Sequence, residues 1–125
     1  MIAWLCDVFG FEVHILVEDD EGGVAHSELL FGGGILMVAQ ADQGVPERWN
    51  LQRASPLDVH GANTQTLQLY VDDVDDHHRR AQQGGATIVQ EPFIADHGAD
   101  YWADKSYGCL DPEGHLWWIT ERVRG

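Results

Sequence analysis

Seven histidines are scattered along the chain, and imidazole readily serves as a metal ligand or as an acid and base near neutral pH. His77 and His78 form the tightest pair. Successive residues on a helix diverge by about 100°, so these two cannot grip one ion together. His26 and Glu28 are better spaced, because residues two apart share one face of a strand. A divalent ion nevertheless needs several donors converging on one point. No further donors are identifiable beside His26 and Glu28, so they read first as polar residues facing solvent or a ligand, with metal ligation as the weaker alternative. His115 follows Asp111-Pro112-Glu113-Gly114 and is expected to order that turn. To act as an acid or base it would need a partner and a substrate that the sequence does not supply. Asp100, Asp104 and Lys105 are expected to form a charged loop on the solvated surface.

Stepping outward from these side chains, the 125 residues suit one domain. A 44% hydrophobic content can build an interior, and 22% charged residues fit a globular chain rather than a disordered one. The net charge of −14 repels phosphate backbones and anionic head groups, which argues against nucleic acid and membrane as partners. No apolar run approaches the roughly 20 residues needed to span a bilayer, and no basic region opens a secretory signal. The expected location is cytoplasmic. Cys6 and Cys109 stand far apart without a paired spacing and read as small apolar residues in a reducing compartment.

The elements follow from periodicity. Ile2, Leu5, Cys6 and Phe9 share a helical face, and Gly10 suits a left-handed stop. The period then changes to two: Phe11, Val13, Ile15 and Val17 alternate along a strand, Asp19 to Gly23 make a turn, and further strands run over 24–31 and 35–40. A polar connector over 41–63 holds Pro46, Pro56 and the large apolar Trp49. A strand over 64–71, a short helix over 74–83 closed by Gly84-Gly85, and strands over 86–90, 106–110 and 115–121 complete the chain, with a loop after Pro92. The fold class is α+β. The second half, 64–125, is a βαβββ unit, and the first, about 1–40, would match it if a strand preceded the opening helix. The chain is expected either to be truncated there or to fill the gap with another segment. An unpaired sheet edge seeks a partner, so dimerisation or lowered stability is expected.

This order of elements, with the block from Asp100 to Ile119 and the segments Trp4–Val13, Ala25–Leu29 and Leu69–Asp75, resembles the vicinal oxygen chelate (glyoxalase/bleomycin-resistance/dioxygenase) superfamily, especially its bleomycin-resistance-like members. The resemblance implies paired βαβββ modules whose curved mixed sheet encloses a cavity. It also implies where relatives place metal ligands. The first falls on the strand this chain does not contain, and the others fall near Met37, on Thr66 and on Trp118. A thioether, a hydroxyl and an indole make poor ligands for the divalent ions such enzymes use, so no metal cofactor is expected.

By the same resemblance, Thr66, Gln68 and Tyr70 on one strand and Leu116, Trp118 and Thr120 on another face the cavity. Trp49, Trp102, Tyr101 and Tyr107 are expected to supplement them, and Met37 lines the first module. Trp117 faces the helices by alternation. Rings with a few hydroxyl and amide groups suit a planar organic ligand, although each ring could equally fill the core or a dimer interface. The expected function is therefore non-metal binding of a small aromatic molecule, such as sequestration of an antibiotic or natural product, by a homodimer. The competing class is a metal-dependent glyoxalase-like lyase or isomerase, or a ring-cleaving dioxygenase, with a shifted divalent site at His26 and Glu28. A third class is a remnant without any ligand.

Overall fold

A computed structural model describes residues 1–41 and 45–125; positions 42–44 of the connector lie outside the described residues. The chain opens with α1 (Ile2–Trp4), which widens without a break into a π-helical segment, Leu5–Phe9. The expected helix is thus present, but its second half is under-wound. Gly10 stops it at φ 84°, a left-handed conformation that glycine adopts without a Cβ clash. Three antiparallel strands follow: β1 (Glu12–Glu18), β2 (Val24–Phe31) and β3 (Gly34–Leu36), in the order β1-β2-β3. The third is shorter than its apolar run suggested.

The second half supplies β4 (Leu67–Tyr70), α2 (Val74–Gln83), β5 (Thr87–Asp96), β6 (Ala103–Leu110) and β7 (Leu116–Arg124), with sheet order β4-β7-β6-β5. Here β4 runs parallel to β7, and the other pairs are antiparallel. The α2 helix starts where the Asp73 carboxylate accepts the Asp76 backbone N–H at 2.9 Å, with Asp75 and Asp76 in its positive first turn. Two expectations need correction. The chain does not leave the sheet at Pro92, because β5 is an edge strand with register shifts on either side of Gln90, where a missing N–H is tolerated. Asp104 and Lys105 belong to β6 rather than to a loop; Asp104 pairs with Arg122 on β7 and Lys105 with Asp75 on α2.

One apolar cluster joins the halves. Leu5, Val8 and Phe9 of the opening helix meet Phe11 and Leu29 from the first sheet, Val74 and Ala81 of α2, and Tyr107, Cys109, Trp117 and Ile119 of the second. Burying each large side chain contributes about 1.5–3 kcal/mol. The Phe9 ring lies 5.2 Å from Trp117, edge to face. Gly84 closes α2 where a Cβ would come within 2.3 Å of Val8 Cγ2, and its carbonyl accepts the Trp4 indole N–H at 3.1 Å. The Asp111 turn is tied from inside: its buried carboxylate accepts backbone N–H groups of Glu113 and His115 and the Trp117 indole N–H, at 2.9, 3.1 and 2.9 Å. His115 Nδ1 lies 3.0 Å from the same carboxylate, and since an ionised carboxylate only accepts, Nδ1 carries the proton. His115 does order the turn. No helix is long and apolar enough to cross a membrane among the described residues.

Candidate functional site

Each sheet has one face on the shared core and one face open. On β7, Trp117 and Ile119 point inward, 3% and 0% exposed, so alternation turns Trp118, Thr120 and Arg122 to the open side. Cross-strand partners share a face. The pairs Gln68↔Trp118 and Tyr70↔Thr120 therefore place the β4 side chains there, and Ser106↔Thr120 and Phe93↔Ser106 extend the surface across β6 and β5.

At one end of this face, the Trp118 and Phe93 rings meet edge to face at 6.3 Å. Gly108 sits beside them, where a Cβ would come within 3.2 Å of the Trp118 ring. In the middle, Thr120 Oγ1 accepts from Gln68 Nε2 at 3.2 Å and bonds the Ser106 hydroxyl at 3.0 Å. At the other end, the Arg122 guanidinium lies over the rings of Tyr70 and Trp102, 5.6 and 5.9 Å from their centroids. It donates to the Tyr70 hydroxyl at 3.0 Å and to Asp104. Trp102 also stacks on His97 at 4.7 Å. The surface combines rings with hydroxyl and amide groups, and several rings remain open: Tyr70 is 49% exposed and Trp102 41%.

The structure thus brings together Gln68, Tyr70, Trp118 and Trp102, with Thr66 exposed just before β4. Tyr107 does not join them. It is fully buried on the opposite face, its hydroxyl 2.8 Å from His77 Nδ1, because its register partner is the inward Ile119. The expectation that it supplements the cavity is therefore corrected: the strand carrying it turns this ring to the core. Trp49 stands in a short 3-10 turn, 55% exposed, with Arg48 over its ring. Met37 is 64% exposed just beyond β3, on the other sheet. Sequence reasoning missed Phe93, Ser106, Asp104 and Arg122. Carrying the alternation from Trp118 two residues past Thr120 would have found Arg122.

The open face of the first sheet differs. Ile15 pairs with Glu28 and Val17 with His26, so an apolar wall surrounds a polar pair whose His26 Nε2 lies 3.3 Å from Glu28 Oε1. Among the described residues, no three His, Cys, Asp or Glu side chains gather closely enough to hold an ion. His77 is only 5% exposed, and burial pushes its pKa down to about 4, so it stays neutral in the core. Burial likewise pushes the Cys109 thiol up to about 12. An open cleft of about 450 Å³ lies at the junction of the halves, lined by Phe9, Phe31, Tyr70, Asp72 and Arg80 among others. It is not an enclosed cavity between the sheets.

A βαβββ unit and a helix followed by three strands, sharing one core and each leaving a sheet face open, define the class to which this fold belongs. The model of the Glyoxalase/Bleomycin resistance protein/Dioxygenase superfamily matches residues 1–119, and the chain belongs to that superfamily. It is 31% identical to TioX from Micromonospora sp. ML1, with a TM-score of 0.67 over 98% of this chain and 87% of that one. A family enzyme from Burkholderia phytofirmans PsJN shares the fold at 21% identity, with a TM-score of 0.64 over 98% of this chain and 88% of that one. Uncharacterized proteins of Mycobacterium bovis and Mycobacterium tuberculosis are 30% identical over 86% of this chain. The chain spans 65% and 58% of those two relatives' lengths.

Proposed function

We propose that the protein binds a small planar aromatic molecule on the open face of its second sheet without a metal ion, and that sequestering an antibiotic or natural product is its task. The observation that carries this reading is the half-open ring set of Trp118, Phe93, Tyr70 and Trp102 around the Gln68–Thr120–Ser106 hydrogen bonds. Rings packed as core would be closed off, whereas a binding surface keeps them reachable with a few polar groups to fix orientation. The positions where relatives carry metal donors hold Met37, Thr66 and Trp118, and none of the three is a good ligand for a divalent ion.

Homodimerisation belongs to the same reading. Ile15, Val17, Ile35 and Met37 leave 37%, 48%, 59% and 64% of their surface exposed, and a run of exposed apolar side chains on or beside one sheet is the kind of surface a partner covers. A second copy would cover it and help enclose the ligand. A cytoplasmic location fits the two free thiols and the acidic surface. Titration with the neutral aromatic dye phenylnaphthylamine, followed through tryptophan quenching, should saturate, and Trp118→Ala should weaken binding roughly tenfold. A dye that neither quenches nor saturates would overturn the reading.

The His26–Glu28 pair favours the second reading, a metal-dependent lyase, isomerase or ring-cleaving dioxygenase with two donors already in place. Stoichiometric uptake of Ni, Zn or Fe by tag-free protein, lost in Glu28→Gln, would establish it over the first.

A further inference from the structure

We infer that the aromatic ligand carries an acidic group, a carboxylate or phenolate, and that Arg122 is the residue that reads it. This rests on the aromatic-binding reading and adds to it a specificity determinant at the far end of the same face.

The guanidinium is held at both edges. Nε donates to Asp104 and Nη2 to the Tyr70 hydroxyl, while the Tyr70 and Trp102 rings fix its plane. A guanidinium has five N–H donors; these two bonds use two, and the other three have no protein acceptor among the described residues. The charge is also presented asymmetrically. The Arg122 side chain is 39% exposed and its counter-ion Asp104 only 13%, so an approaching molecule meets the cation first. Toward the rings of Trp118 and Phe93 the neighbours on this face, Gln68, Ser106 and Thr120, are neutral, whereas Asp72 and Glu121 line the cleft on the side of Tyr70, so the open approach for an anion is from the Trp118 side.

Arg124, the next residue of the same alternation, offers less, because it already donates twice to Asp96, at 3.2 and 2.5 Å, and once to the Gly98 carbonyl. Elsewhere a chain of net charge −14 repels anions. An anionic aromatic therefore has one favourable docking direction: ring over Trp118 and Phe93, acid toward Arg122. Arginine suits the role better than lysine, since its planar group both stacks on rings and meets a carboxylate with paired donors. A solvent-facing ion pair alone contributes little to stability, so the ring clamp has no evident purpose in holding the fold.

The test compares two dyes that share a ring system, anilinonaphthalene sulfonate and the neutral phenylnaphthylamine, titrated against the full chain with tryptophan quenching as readout. The wild type should bind the anionic dye at least about tenfold more tightly, the size expected of a charge-assisted contact. Arg122→Met should bring the two dyes within about twofold of each other because the anionic dye loses far more affinity than the neutral one, and Asp104→Asn should tighten the anionic dye alone. If the neutral dye binds but the anion gains nothing, or if the gain survives Arg122→Met, the inference is overturned while the aromatic reading stands. If neither dye binds, both fall. Equal weakening of both dyes in Arg122→Met and in the charge-preserving Arg122→Lys would reduce Arg122 to a structural part and overturn the inference as well.

Discussion

The two sheets differ in strand count and in how far their strands are enclosed: three strands in the first, four in the second. In the second, β4 lies beside β7, so β7 and β6 are both interior strands, and their core-facing residues Tyr107, Cys109 and Ile119 are wholly buried. In the first, β3 is three residues long and bonded on one side only, and all seven residues of β1 are exposed. Only Phe11, Ser27 and Leu29 carry that sheet's burial. The difference teaches that the fourth strand does more than add hydrogen bonds: it makes its neighbour an interior strand, and an interior strand can be covered on its inner face by a helix. Stability is therefore concentrated in the second sheet and the two helical segments over it. The first sheet leaves its β1 side chains open.

The sharpest way to break this contrast is to truncate one core residue. Trp117→Ala should cost about 3–5 kcal/mol, since it removes ring contacts with Phe9 and Phe11 and leaves the buried Asp111 carboxylate without its indole donor. Urea denaturation measures it, and a loss below 1 kcal/mol would show that the core is not centred there. Next in size is an effect of pH. The His77 pKa is lowered from 6.5 to about 4 by burial, so the unfolded chain takes up a proton at higher pH than the folded one. Stability is fully present above pH 6.5 and declines as pH falls from there toward 4, by on the order of 3 kcal/mol. His77→Asn should flatten that portion of the pH dependence of the urea midpoint. Amide exchange comes third: β1 and β3 should exchange faster than β6 and β7 by at least about tenfold through local opening, and equal protection would mean the sheets melt as one. Smallest is Val17→Ala on β1, half exposed, which should change stability by less than about 0.5 kcal/mol.

Much of the fold could be read from alternation and from turn chemistry. The change from period 3.6 to 2 at Gly10, the Asp111–Gly114 turn and the inward Trp117 against outward Trp118 all follow from local rules that the tertiary structure reinforces. The misreadings share a cause as well. Pro92 signals a loop in isolation, and only the sheet order shows that β5 is an edge able to absorb it. Tyr107 was expected among the cavity rings, yet its partner is the buried His77 thirty positions upstream, a contact that no spacing announces. Arg122 was missed because the last strand reads as ending at Glu121. Its ring clamp is assembled from three separate strands and the approach to one of them, so no single stretch of sequence carries it.

Gly84 has a consequence that reaches past its own turn. Because Val8 already occupies the room a methyl group would need there, adding even one carbon would act as a wedge driven between the opening helical segment and α2. The two halves meet at that point through the lack of a side chain, so the tilt of one helical segment on the other is set by how closely bare backbone can approach Val8.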